Sequence, residues 1–327
     1  MSQGEGDPSQ NSLERSRKWI AVAIVVAILG YLAYSAWHGL SATAGAIAGF
    51  RWPLYAVVLL TTLVNYGLRY WKWSYLLGRV GVTIPHRTNA WVFLSGLAMV
   101  ITPAKAGELV KPWLVRTVTG TPMARTVPVL VAERATDGIA VVALAAIGVS
   151  TYRAESVTTI AFTFAVIALA LAVLAVEPLS LGLIRFFARL PVLGSLAERV
   201  EEAYRAMRSC LAPLPLTLTV LVSLVAWWAE CLGTWLVFRG LAQPVTMDLA
   251  TFLYASATVI GAPSPGGMGL ADASLAEGAR MLVPGITEGE AMAAALLVRI
   301  ATLWFGVALG AFALLRVDGV IRRARSD

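Results

Sequence analysis

Of the chain's 327 residues, 58% are hydrophobic and only 14% charged, against roughly a quarter charged in an ordinary soluble domain. With a mean hydropathy of +0.74, there are too many apolar residues for one globular core, and they must face lipid, which excludes a soluble protein. The 26 Lys and Arg exceed the 19 Asp and Glu to give +7, an excess to be read here as membrane sidedness rather than as nucleic-acid binding.

A hydrocarbon core about 30 Å thick takes about 20 helical residues. Residues 1–18 form a cytoplasmic tail whose first dozen, rich in Ser, Gln and Gly, are expected to be disordered. The first apolar run, about 19–37, has Trp19 and Trp37 at its ends, which favours a retained span over a signal sequence. Further runs follow at about 53–77, 126–149, 157–184, 216–238 and 290–314. Two more, near 89–102 and 249–262, are shorter and end in Thr102-Pro103 and in Gly261 to Gly267. Such breaks are tolerable at membrane depth only when buried in protein or lining a wet cavity. The pattern predicts an all-α polytopic protein of about six spanning helices plus two opposed re-entrant helical hairpins. The Arg-rich stretch at about 185–213 reads as a cytoplasmic segment lying on anionic lipid headgroups, with a solvated loop as its alternative. Residues 316–327 are a basic cytoplasmic tail.

Charge placement supports this topology. With both short runs re-entrant, eighteen Lys and Arg lie inside, Lys105 and Lys111 among them, and only Arg51, Arg153, Arg239 and Arg280 lie outside. That places both termini in the cytoplasm and the protein in a bacterial or archaeal plasma membrane. Arg69, Lys72, Arg134 and Arg299 are left within spans. Cys210, Cys231, His38 and His86 have no ligand spacing, which argues against a disulfide framework, zinc or histidine-based catalysis. No cofactor is implied.

Two segments share one order of parts. In the first, about 88–150, an apolar stretch from Phe93 to Ile101 is followed by a break with Pro103, Lys105, Gly107 and Glu108, then by a span carrying Glu133, Arg134 and Asp137. In the second, about 247–315, Phe252 to Ile260 is followed by Pro263, Pro265, Gly266, Gly267 and Gly269, with Asp272 behind them, then by a span carrying Arg299. One break enters from inside and the other from outside. Such a pair points to an inverted-repeat transporter with its site at the repeat interface.

An ionised side chain at the centre of a span costs about 2.5–3.5 kcal/mol on insertion scales unless paired or wet. Asn65, Arg69 and Lys72 line one face of their helix, Glu133 and Asp137 are four apart, and Glu230 sits in mid-run. The simplest arrangement that neutralises them is a shared interior cluster. Lys72 lies close enough to the cytoplasmic end to snorkel instead. Arg69, Lys105, Arg134 and Arg299, with Asn65, provide donors suited to phosphate, and Glu108, Glu133, Asp137, Glu230 and Asp272 set the balance, one of them being available to carry a coupling proton. The glycines at 266, 267 and 269 lack the strand and the Lys-Ser/Thr of a nucleotide loop. Gly306 and Gly310 have helix-packing spacing.

Asn65-x3-Arg69-x3-Trp73, Pro103-x-Lys105-x-Gly107-Glu108, Glu133-Arg134-x2-Asp137 and Pro263-x-Pro265-Gly266-Gly267-x-Gly269, in this order, resemble the flippase-like transmembrane family of lysylphosphatidylglycerol synthases. The resemblance covers nearly all of the chain after the first span. It implies a membrane domain that moves lipids between leaflets, and an acid after the second glycine cluster, usually Glu and here Asp272. Larger members carry a cytosolic aminoacyl-transferase domain, whereas this chain ends soon after its last span, so lysyl-lipid synthesis is not implied.

The resulting expectation is a flippase or scramblase-like transporter of a phosphate-bearing lipid, such as a phospholipid or polyprenyl-phosphate-linked intermediate, and not an enzyme. Its partners are membrane lipids rather than nucleic acid, and a homo-oligomer is left open. The rivals are a membrane-embedded lipid-phosphate enzyme using Glu133 or Asp137 as general base, a secondary transporter of a small anionic solute, and a structural partner in an envelope assembly.

Overall fold

The computed structural model describes residues 40–102, 107–152 and 197–326. The expected spans at 19–37 and 157–184, the tail 1–18, Pro103, Lys105 and the first part of the Arg-rich stretch lie outside them. Among the described residues every regular element is helical.

A short helix α1 (Leu40–Ala48) turns through 91° into α2 (Trp52–Arg79). The second helix opens on Trp52-Pro53, where the missing proline N–H is not needed. Next come α3 (His86–Ala98), prolonged by a 3-10 turn at Met99–Ile101, α4 (Val110–Thr119) and α5 (Met123–Tyr152). Gly120, at φ 73°, ends α4 in a left-handed cap. After the undescribed stretch come α6 (Ala197–Cys210), α7 (Pro213–Gly240), α8 (Met247–Gly261) and α9 (Leu270–Leu282). The last helix is α10 (Glu288–Arg299), which continues through a π segment at Ile300–Trp304 into α11 (Phe305–Ser326). The expected basic tail therefore prolongs this helix. A capping box between Thr287 and Glu290 starts α10.

Among the described residues two helices are long and apolar enough to cross a membrane, Pro213–Gly240 with 28 residues and Glu288–Val317 with 30, and the bent pair α1 and α2 is a third, broken candidate. At 1.5 Å per residue, 28 residues reach about 42 Å. The 30 residues of α5 are as long, but Glu133, Arg134 and Asp137 interrupt its apolar character.

α2 and α7 run antiparallel along their lengths. Arg51 N–H donates to Gly240 O, Thr62 Oγ1 to Glu230 Oε2 at 3.2 Å, Asn65 Nδ2 to Ala226 O at 2.8 Å and Lys72 Nζ to Ser223 Oγ at 2.6 Å. The partner numbers fall as the α2 numbers rise. On either side of this pair the two halves repeat one order of parts. α2 and α7 each have 28 residues; six-residue links, 80–85 and 241–246, lead to the shorter helices α3 and α8, and after each of these a short helix and a long helix follow.

The halves are interlocked. α3 lies along α11, α8 lies along α5, and the two breaks meet where Met99–Ile101 packs on Pro265–Gly267. One buried apolar cluster accordingly joins Val141 and Leu144 of α5 to Phe252 and Leu253 of α8. Another joins Phe93 and Leu97 of α3 to Val317 of α11. Close approach needs glycine at Gly310, where a Cβ would lie 2.2 Å from the Ala98 backbone nitrogen. This is the packing role expected of it. The described part of the Arg-rich stretch, α6, is a helix packed on α5, with Arg125 bridged to Glu202 at 2.8 Å, rather than a solvated loop.

Candidate functional site

Helix periodicity turns Asn65, Arg69 and Lys72 of α2 onto one buried face, and α5 brings Glu133 and Asp137 against it. Lys72 is wholly enclosed: it bonds Asp137 Oδ1, Ser223 Oγ at 2.6 Å, and Thr136 Oγ1 and the Glu133 carbonyl at 3.2 Å each. The snorkelling expectation is therefore corrected, because four acceptors at its ammonium hold it inward. Ser223 Oγ also donates to Asp137 Oδ1 at 3.0 Å.

Lys111 of α4, which the sequence places among the cytoplasmic cations, is instead buried, with Nζ 2.5 Å from Glu133 Oε2. Its stem crosses α3 at Gly96, where a Cβ would stand 2.7 Å from it. Its ammonium lies 4.3 Å from the Trp73 ring centre, a cation–π position. The spacing of Lys111, three residues after Glu108, is the one sequence signal that could have drawn attention to it.

Arg134 Nε is 3.1 Å from Glu108 Oε2 and its Nη2 donates to Glu133 Oε1 at 3.0 Å. In the other half Arg299 holds Asp272 through Nε at 2.6 Å and donates to the carbonyls of Gly266 at 3.1 Å and Gly267 at 3.3 Å. Asp272 in turn accepts the Gly269 N–H at 3.0 Å. Arg134 and Arg299 are each the twelfth residue of their long helix, and each grips an acid placed just behind a break. The positive φ of Gly266, Gly267 and Gly269 turns the second break so that its carbonyls face Arg299.

One-to-one pairing uses Lys72 with Asp137, Lys111 with Glu133, Arg134 with Glu108 and Arg299 with Asp272. Arg69 remains. It is 8% exposed, stands 3.6 Å from Glu133 and 3.7 Å from Asp137, and its buried Nε has no hydrogen-bond partner among the described residues. Among the described residues four cations, Arg69, Lys72, Lys111 and Arg134, thus face three carboxylates, Glu108, Glu133 and Asp137.

The surplus charge adjoins a cavity of about 140 Å³ whose walls include Asn65, Arg69, Arg134, Glu230, Asp272 and Arg299. Gly266 and Gly267 of the second break and Leu97 and Val100 beside the first complete the meeting point. The volume is below the roughly 300 Å³ at which drug-sized ligand pockets begin, and suits a charged headgroup rather than a whole lipid. Glu108, Glu133 and Asp137 stand behind this wall. Gly107 lies beyond it, with its N–H on Thr102 Oγ1 at 2.8 Å, while Pro263, Pro265 and Gly269 shape the second break. Trp227, whose buried Nε1 has no hydrogen-bond partner among the described residues, and Tyr254 also line the cavity. The sequence gives no sign of either, because aromatic residues in apolar helices are common.

Over residues 18–310 the chain matches the family described as "Lysylphosphatidylglycerol synthase TM region". A "UPF0104 membrane protein" of Methanothermobacter thermautotrophicus is 27% identical over 305 residues, which cover 88% of this chain and 90% of the relative.

Proposed function

The chain belongs to the lysylphosphatidylglycerol synthase transmembrane-region family, and from that premise we propose that it moves a phosphate-bearing lipid between the leaflets of a bilayer. The observation that carries this reading is Arg69, a buried guanidinium without a carboxylate of its own at the edge of a cavity shared with Arg134 and Arg299. A charge at such depth is costly unless something compensates it, and a phosphate accepts its fork of donors bidentately.

In this reading the tails stay in the hydrocarbon while the head passes through the cavity, and Arg299 and Arg134 hold the two breaks on either side. The chain has six spans, with α2, α5, α7 and α10–α11 among them, and both breaks are re-entrant and of opposite orientation. The antiparallel pairing of α2 with α7 supports that inversion, since equivalent helices related by an axis in the membrane plane must run in opposite directions. Rocking of the interlocked halves about the α2–α7 pair exposes the head alternately to the two faces. The π segment directly after Arg299 is the kind of helix irregularity that accompanies such sites. Both termini lie on the cytoplasmic side of a plasma membrane, in line with the distribution of basic residues. The protein acts as a transporter and not an enzyme: Glu133 and Asp137, the carboxylates available as a general base, are committed to Lys111 and Lys72.

The test is transbilayer movement of a phosphatidylglycerol labelled on its acyl chain, in vesicles holding the native protein or Arg69→Ala. Hydrogen bonds to a charged group contribute about 1.5–3 kcal/mol, so the variant is expected to be at least about tenfold slower. Equal rates would remove Arg69 from the role assigned to it.

A further inference from the structure

Pairing the buried charges leaves two groups over, not one. Among the described residues Arg69 is the cation left over by one-to-one pairing, 3.6 Å from Glu133 and 3.7 Å from Asp137, and Glu230 is the carboxyl left over: it is 3% exposed, accepts one hydrogen bond from Thr62 Oγ1 at 3.2 Å, and has no ion pair within 4.0 Å among those residues. Both line the same cavity, yet no ion pair joins them. Arg69 lies two helical turns beyond Thr62, the residue that holds Glu230, or about 10 Å along α2. The cavity therefore has a positive end and a negative end.

The negative end is furnished for a cation. Trp227 precedes Glu230 by three residues on α7, so the two side chains share a face, and its ring lies 6.4 Å from that of Tyr254 on α8. A carboxyl that lines one cavity with two aromatic rings is suited to an ammonium, which draws on both the carboxylate and the ring quadrupoles. The positive end has the surplus guanidinium, whose buried Nε has no hydrogen-bond partner among the described residues and whose donors suit a phosphate. An ion left alone at such depth is strongly unfavourable, and one ligand carrying both charges satisfies the two ends at once.

Resting on the transport reading above, we propose that the cavity selects a net-neutral, zwitterionic headgroup, one phosphate on Arg69 and one primary amine on Glu230, in preference to a purely anionic headgroup. The chemistry is that of a phosphatidylethanolamine-type lipid.

The experiment compares the rates at which acyl-chain-labelled phosphatidylethanolamine and phosphatidylglycerol cross vesicles containing the full chain. The native protein is expected to favour phosphatidylethanolamine by about tenfold, the worth of one charge-assisted contact. In Glu230→Gln, which keeps an acceptor for Thr62 but loses the charge, the ratio is expected to fall to near one; in Arg69→Gln both rates fall and the ratio persists. Binding of the same two lipids by the purified native and Glu230→Gln proteins, read by native mass spectrometry, is expected to show the same loss of preference and does not require the variant to transport. No preference in the native protein, or a preference that survives in Glu230→Gln, would overturn the inference while leaving transport intact. Movement of neither lipid would overturn the transport reading itself.

Discussion

Lys111 does not line the cavity, yet the charge balance makes it control the cavity's free cation. Among the described residues of the native protein, four cations face three carboxylates and Glu133 is held at 2.5 Å by Lys111, which keeps Arg69 at 3.6 Å. Lys111→Met retains most of the stem that packs on Gly96 and deletes only the ammonium. Three cations then face three carboxylates, and Glu133 draws Arg69 into a direct pair. Breaking a buried pair by removing one partner costs about 3–5 kcal/mol. Arg134 remains 3.0 Å from Glu133, which brings the expected loss down to about 2–3 kcal/mol, measured by detergent-denaturant titration or steric trapping. Lipid movement in vesicles should fall about tenfold or more, because Arg69 no longer has donors to spare. The decisive variant is Lys111→Met with Glu133→Gln. It restores a surplus of one cation, three against two, so it is expected to transport faster than Lys111→Met alone and to recover at least about 1 kcal/mol of stability. A single variant at the native rate, or a double variant slower than the single, would refute the charge-balance reasoning.

Three further outcomes follow from particular contacts. Gly310→Ala puts a Cβ 2.2 Å from the Ala98 nitrogen, backbone against backbone, so the α3–α11 seam must open, with a loss of about 1–3 kcal/mol or more visible as a lower yield of folded protein. Arg299→Lys replaces a three-contact fork with a point charge and frees the carbonyls of Gly266 and Gly267; hydrogen exchange at the second break should rise while exchange across α3 stays unchanged. Tyr66→Phe removes the hydroxyl that donates to Thr302 O at 2.8 Å inside the π segment, for a loss of about 1 kcal/mol in the same unfolding measurement.

Long helices were legible in the sequence because an apolar stretch of bilayer length has few other readings, and the breaks because Pro and Gly announce themselves. α2, α5 and α7 lie within a few residues of the expected runs, and α10–α11 begins two residues before its run and continues past the run's end to Ser326. The gathering of Arg69, Arg134 and Arg299 around one hollow was also legible, since charges in apolar helices have to meet. Lys111 was not, because its place among the inside basic residues says nothing of α3, whose Gly96 lets the lysine stem cross it. The correction at Lys72 has the same origin: its distance from the helix end says that it can snorkel, and only Ser223, 151 residues away, says that it has no need to. Trp227 and Tyr254 were hidden by ordinariness. The matching lengths of α2 and α7 were hidden because the two helices share no evident motif.

The central claim, that a lipid phosphate occupies the cavity beside Arg69, is tested most directly by a structure of the full chain in lipid nanodiscs at a resolution that shows bound lipid. The account predicts headgroup density within hydrogen-bonding distance of Arg69, between Arg134 and Arg299, with acyl tails leading out between helices into the bilayer. Ordered lipid confined to the outer surface, with water alone against the Arg69 guanidinium, would contradict it.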